Sequence, residues 1–260
     1  MADTPHPVML GTDRPEADRD PGAGSSGAIG PGGDAAPAAA PCRTPLAGDY
    51  PRLHARFLRL AGGEAEAAQE AALSMLLRPG LHMLDAGCGP ATVARRLLAV
   101  ESRLNLTLLD TDPQMLDQCR DLDARQVTGS LARLPLADCS FDVAFALWSV
   151  ETLADPAAGL RELVRVTRPG GWVAVTFCAR CPKGDWLDRC LEVTMGIRRS
   201  GRMLDPEMVC GHLKSAGLDA IRPLHCRGPA RALIGRRAAD HLRSPPWSRT
   251  PCHGSAHARD

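Results

Sequence analysis

The run Leu81-His-Met-Leu-Asp-Ala-Gly-Cys-Gly-Pro-Ala-Thr92 joins an acid, Asp85, to two closely spaced glycines, Gly87 and Gly89. Glycine lets a backbone turn tightly and approach a ligand closely. A helix starting after such a loop presents free N–H groups to a polar or anionic partner. Asp110 follows Asp85 by 25 residues, at the end of the next apolar run. A carboxylate in that place can accept both hydroxyls of a ribose. A nucleoside-type cofactor fits this order of parts. A dinucleotide site asks for Gly-x-Gly-x-x-Gly, and here the last position is Thr92. An acid beside the loop also repels a pyrophosphate. It suits a cofactor that carries an ammonium and a sulfonium, as S-adenosylmethionine does. The competing reading is a tight turn between strand and helix with no ligand.

The elements that must hold these residues alternate along the chain. Glu64 to Leu77 is Ala-rich, with Leu73, Leu76 and Leu77 at helical spacing, and Pro79-Gly80 stops it. Leu81 to Ala86, Leu104 to Leu109, Phe141 to Leu147 and Trp172 to Phe177 read as strands. Ala91 to Val100, Pro113 to Cys119 and Pro156 to Thr167 read as helices, the second with Asp112 as N-cap and Pro113 at the first helical position. Asp205-Pro206-Glu207 starts a further capped helix ending at Gly217. This alternation predicts an α/β domain with a mostly parallel sheet and helices on both faces.

Composition narrows the function classes. The chain has 260 residues, 44% hydrophobic, with 31 Lys+Arg against 30 Asp+Glu. A near-neutral chain argues against a bulk polyanion binder, and aromatics at 3% argue against a base-stacking surface. No nucleic-acid partner is therefore expected. There is no apolar run long enough for a membrane span and no secretory leader pattern. The 10 cysteines are scattered rather than densely framed, which favours reduced thiols and a cytoplasmic protein. Residues 1–45 are more than half Gly, Pro and Ala and are expected to be a disordered leader. Residues 46–237 form the expected folded domain, and 238–260 a disordered basic tail.

Four segments, in order, carry a resemblance: Leu84-Asp-Ala-Gly-Cys-Gly89, Leu109-Asp-Thr-Asp-Pro-Gln-Met-Leu116, Leu134-Pro-Leu-Ala-Asp-Cys-Ser-Phe-Asp-Val143 and Arg161-Glu-Leu-Val-Arg-Val-Thr-Arg-Pro-Gly-Gly171. Together they resemble the class I S-adenosylmethionine-dependent methyltransferases, closest to the small-molecule branch with the ubiquinone and menaquinone C-methyltransferases. The resemblance covers about Arg52 to Arg237. It implies a Rossmann-like, doubly wound sheet of seven strands, mostly parallel, with an antiparallel last strand. Leu218 to Leu224 and Arg231 to Ile234 would complete that sheet. It implies S-adenosylmethionine as cofactor and a small-molecule acceptor. Asp85, Gly87, Cys88 and Gly89 would hold the methionine end. Asp110 would hold the ribose hydroxyls, with Thr111 and Asp112 bordering the adenine. Ser130 and Leu131 lie where the family places an acid and an apolar residue against the adenine, and Leu147 lies under the methionine chain. Two positions depart from the pattern. Ala91 replaces the third loop glycine, at little cost if the backbone is helical there, and Ser130 replaces the adenine-binding acid.

In-line transfer from a sulfonium needs alignment and desolvation more than a catalytic triad. Trp148, Glu151 and Thr152 are candidates to line the acceptor side. Glu151 is the candidate catalytic residue, as a base or a contact to a cationic acceptor; the alternative is a solvated carboxylate at a helix start. Tyr50, His54 and Phe57 fall where relatives cover the cofactor. Cys178 and Cys181 form a lone CxxC, read here as packing rather than a metal site. The competing functional reading is a non-catalytic, methyltransferase-like binding protein.

Overall fold

A computed structural model describes residues 52, 55–56, 58–180 and 201–239. Tyr50, His54, Phe57, Cys181, the leader and most of the tail lie outside the described residues. Seven strands form one sheet: β1 (His82–Ala86), β2 (Asn105–Asp110), β3 (Arg125–Thr128), β4 (Phe141–Leu147), β5 (Thr167–Cys178), β6 (Leu218–His225) and β7 (Ala230–Arg237). Their order is β3-β2-β1-β4-β5-β7-β6. β1, β2, β3, β4 and β5 pair in parallel, while β7 runs antiparallel to both β5 and β6. The expected seven-stranded, mostly parallel sheet with an antiparallel last strand is the observed one.

Five helices flank the sheet among the described residues: α1 (Gly63–Ser74), α2 (Thr92–Val100), α3 (Pro113–Asp117), α4 (Pro156–Val166) and α5 (Pro206–Ser215). A π-helical turn, Leu58–Gly62, leads into α1. Three helices open with the same device. Asp112, Asp155 and Asp205 each accept a hydrogen bond from the N–H two residues on, with proline next in sequence. The carboxylate satisfies an orphan donor, and proline needs no hydrogen bond at the first helical position.

Alternation along the strands divides the core into two layers. Leu84, Val173, Val175 and Phe177 face α4 and α5, where Leu160, Leu163 and Leu213 meet them. Met83, Phe145 and Ala174 face the other way, against Leu73 of α1 and Leu97 of α2. Both faces of the central strands are therefore buried. No described helix is long and apolar enough to cross a membrane.

Arg165 clasps the loop that precedes β4 onto α4. Its guanidinium is bidentate to Glu162, with both bonds at 2.7 Å, and it also bonds Asp138 and the carbonyls of Leu134 and Leu136. Arg165 hydrogen bonding holds the Glu162 carboxyl below its ordinary range. That contribution is present above the carboxylate's unfolded value and is lost as pH falls through the folded one. Arg165→Ala is expected to cost about 2–3 kcal/mol, since charge-assisted bonds are the strong ones. It should also flatten the acid limb of stability, read by urea titration across a pH series.

Candidate functional site

The loop after β1 is tied to the end of β2. Gly87 and Cys88 donate their N–H groups to the Leu109 carbonyl at 2.7 and 3.0 Å. Gly87 has φ +78° and Gly89 φ +51°, backbone that glycine adopts without strain. Ser149 fills the space over Gly87, and its hydroxyl donates to the Ala86 carbonyl at 3.0 Å. A left-handed turn at Trp148, φ +54°, brings Ser149 there directly after β4.

Gly89 donates to Asp110 Oδ2 at 2.8 Å, and Asp112 N–H donates to Asp110 Oδ1 at 3.0 Å. One carboxylate thus orients both the glycine loop and the turn after β2. Burial pushes the Asp110 pKa up, and the two N–H bonds oppose that. Asp85 is 2% exposed. Burial pushes its carboxyl well up, helped by the neighbouring Asp110 and Glu66 charges. No cation forms an ion pair with Asp85 among the described residues. A buried carboxyl facing other acids, with no positive partner, is an electrostatic site for a cation. That arrangement fits the ammonium and sulfonium of S-adenosylmethionine.

The remaining candidates follow the carboxyl ends of the neighbouring strands. Thr111 is exposed after β2, and the Asp112 side chain caps α3 through Gln114 N–H at 2.9 Å. Ser130 and Leu131 follow β3. The Ser130 hydroxyl accepts from Ala132 N–H at 3.2 Å, and Leu131 is buried. Leu147 closes β4, half-buried. Glu151 lies on a 3₁₀ turn, Val150–Thr152, at the same end of the sheet.

One expectation changes, and one alternative falls. Ala91 is not helical: it has φ +53° and ψ +40°, in the left-handed region, so it is strained where glycine would not be. Its side chain is fully buried. Left-handed backbone costs a residue with Cβ about 1–2 kcal/mol, and losing the buried methyl costs about 0.8 kcal/mol. Ala91→Gly is therefore expected to stabilise the domain by up to about 1 kcal/mol, read as a rise in the urea midpoint. Glu151 is not a solvated carboxylate. It is 3% exposed, and burial raises its pKa to about 7. Cys178 is buried against Glu151, in keeping with packing, and burial pushes its thiol pKa well up. Among the described residues no group of three or more His, Cys, Asp or Glu gathers for a metal.

Sequence reasoning missed Glu66, Gln69 and Ser149. Glu66 accepts from Trp148 Nε1 at 3.2 Å and pairs with Arg96 at 2.9 Å. Glu66 and Gln69 stand at i and i+3 on the stripe that carries Leu73. Two polar residues at core positions of an apolar stripe were the available signal.

The sheet order, the glycine loop after β1 and the acid after β2 define a domain with the class I methyltransferase fold. Residues 84–175 match the family described as a methyltransferase domain. The chain is 40% identical over 103 residues to a malonyl-[acyl-carrier protein] O-methyltransferase of Serratia marcescens, covering 39% of this chain and 40% of that one. It is 36% identical over 107 residues to a demethylmenaquinone methyltransferase of Mycobacterium sp. (strain KMS), covering 41% and 46%. The chain spans about half or less of the length of the curated relatives it matches. Among solved structures, an S-adenosylmethionine-dependent methyltransferase from Thermotoga maritima superimposes with a TM-score of 0.56 at 19% identity, covering 74% of this chain and 97% of that one.

Proposed function

We propose that this protein is an S-adenosylmethionine-dependent methyltransferase that acts on a small-molecule acceptor by in-line displacement, in the cytoplasm. The observation that carries this is Asp85, buried beside the glycine loop, without a cationic partner among the described residues and facing Asp110. Bound there, S-adenosylmethionine supplies a methyl group already activated on sulfur. Asp85 and the backbone of Gly87, Cys88 and Gly89 orient the methionine end. Asp110 accepts the ribose hydroxyls while its Gly89 and Asp112 bonds keep it in place. Thr111, Asp112, Ser130 and Leu131 border the adenine, and Leu147 supports the methionine chain. Glu151, on the 3₁₀ turn that follows β4, is the proton acceptor. The named activities of the relatives, on a carrier-bound malonyl group and on demethylmenaquinone, support an acceptor that is not a nucleic acid.

The test is calorimetric titration with S-adenosylhomocysteine, followed by a screen for transfer of a labelled methyl group to small acceptors. Binding together with transfer establishes the reading. Folded protein that binds no S-adenosylhomocysteine rejects it. The strained Ala91 and the neutral Ser130 favour the competing reading, a methyltransferase-like protein that binds without catalysis, and binding without transfer to any acceptor would support that.

A further inference from the structure

One buried carboxylate joins three elements around the glycine loop. Glu66 belongs to α1 and is 5% exposed. Its Oε2 accepts from the Trp148 indole Nε1 at 3.2 Å, across 82 residues of sequence, on the turn that follows β4. Its Oε1 pairs with the Arg96 guanidinium at 2.9 Å, and Arg96 sits on α2, the helix that leaves the loop. Glu70, one turn further along α1, holds the same guanidinium at 2.7 Å. Glu66 also lies near enough to Asp85 for its charge to help raise that carboxyl. The carboxylate therefore stands near the cofactor-side acid and ties together the two segments that flank the loop.

Trp148 is the more consequential of the two partners. Its backbone lies in the left-handed region, φ +54°, where a bulky residue is strained. Such strain persists only where the surroundings over-determine it. Here the Trp148 backbone N–H donates to the Thr176 carbonyl at 2.8 Å. The indole packs against Ala65, Ala230 and Ala232, and Glu66 takes its N–H. The next residue is Ser149, whose hydroxyl donates to the Ala86 carbonyl at 3.0 Å. The Ser149 Cβ occupies the space that a side chain at Gly87 would need. The way Trp148 is held therefore decides where Ser149 meets the loop. Releasing the indole frees a strained backbone to relax, and Ser149 is the first residue it carries with it.

Resting on the methyltransferase reading, we propose that Glu66 is a positioning residue for the cofactor loop: it holds Trp148 on one side and Arg96 on the other, and so keeps Ser149 against Gly87 and α2 in register with the loop. It acts through these two side chains, and its effect falls on affinity for S-adenosylmethionine. A displacement of about 1 Å in a binding site can cost about 100-fold. By linkage the effect is reciprocal, so cofactor binding must tighten the bond between Glu66 and Trp148. A carboxylate that only fastened α1 to the domain would change stability and leave both quantities alone.

The experiment titrates S-adenosylhomocysteine by calorimetry into the full chain and into Glu66→Gln, Glu66→Ala, Trp148→Phe and the Glu66→Ala/Trp148→Phe double variant, with a urea titration of each. Trp148→Phe should bind at least about tenfold more weakly than the wild type, and Glu66→Ala about 100-fold more weakly. Glu66→Gln should recover part of that loss, because an amide oxygen still accepts from the indole. The double variant should lie within about threefold of Glu66→Ala, since the two side chains act through one bond. The chain has four tryptophans, so the Trp148 indole signal in a nitrogen–proton correlation spectrum is identified by its loss in Trp148→Phe. Exchange of that indole proton with water should slow when S-adenosylhomocysteine saturates the wild type. Affinities within about threefold of the wild type in both Trp148→Phe and Glu66→Ala, losses that simply multiply in the double variant, or indole exchange indifferent to the ligand would each overturn the proposal. If Glu66→Ala does not fold, Trp148→Phe and the exchange measurement decide. Wild-type protein that binds no S-adenosylhomocysteine would instead strike the methyltransferase reading, so the two failures are distinct.

Discussion

Gly87→Ala should cost the domain about 2–5 kcal/mol and remove S-adenosylhomocysteine binding. Two independent penalties add there. The backbone sits at φ +78°, which costs a residue with Cβ about 1–2 kcal/mol. The added Cβ would also stand 2.5 Å from Ser149 Cβ and 2.9 Å from its Oγ. Overpacking a filled site costs about 1–3 kcal/mol. Relief requires Ser149 to retreat, which breaks its bond to the Ala86 carbonyl and shifts the loop that carries Gly89. Gly80→Ala separates the two penalties, because Gly80 has φ +74° and nothing within 4 Å of a new Cβ. It should show the backbone cost alone. Adding Ser149→Gly to Gly87→Ala should recover only the steric part. Urea titrations of the wild type, Gly87→Ala, Ser149→Gly and the double variant measure the cycle, and calorimetry reads the loss of binding.

Asp110→Ala should weaken S-adenosylhomocysteine binding by about 100- to 10,000-fold. Hydrogen bonds to a charged group are worth about 1.5–3 kcal/mol each, and two ribose hydroxyls are at stake. The variant also strips Gly89 N–H and Asp112 N–H of their acceptor, so the loop loses its register against β2. Asp110→Asn should fall between, since one oxygen still accepts. Because burial raises the Asp110 pKa, binding that depends on its charge should weaken as pH falls through that raised value. An unchanged affinity in Asp110→Ala would refute the cofactor placement.

Much of the fold is legible in the sequence because its cores are two-sided. Phe141–Leu147 is buried along nearly its whole length and reads as one apolar run. The Asp-Pro starts of three helices are equally plain, because capping is local. The misses are the places where distant residues decide. β3 is four residues long, polar and at the sheet edge, so no pattern marks it. The resemblance implies a turn at Pro169-Gly-Gly171 into the fifth strand, yet all three residues belong to β5, where a Cβ on Gly171 would lie 2.7 Å from the Asp142 carbonyl oxygen. That the glycine loop after β1 lies beside the acid after β2 was legible from spacing. The left-handed backbone of Ala91 was not, because neighbouring residue types do not reveal its φ. The burial of Glu151 and the bond from Thr176 to Gln69 join segments 27 and 107 residues apart. Only the folded chain brings them together.

The strand order also sets a schedule for synthesis. β6 hydrogen-bonds only to β7, and β7 lies between β6 and β5 although it is the last of the three to be made. A growing chain that has reached His225 therefore holds a five-stranded sheet with β5 as a bare edge and β6 without a neighbour. Such an edge is open to pairing with another chain. The exposure ends once Ala230–Arg237 clears the ribosome and slots in, so slowing translation between these two strands should prolong the interval in which nascent copies aggregate.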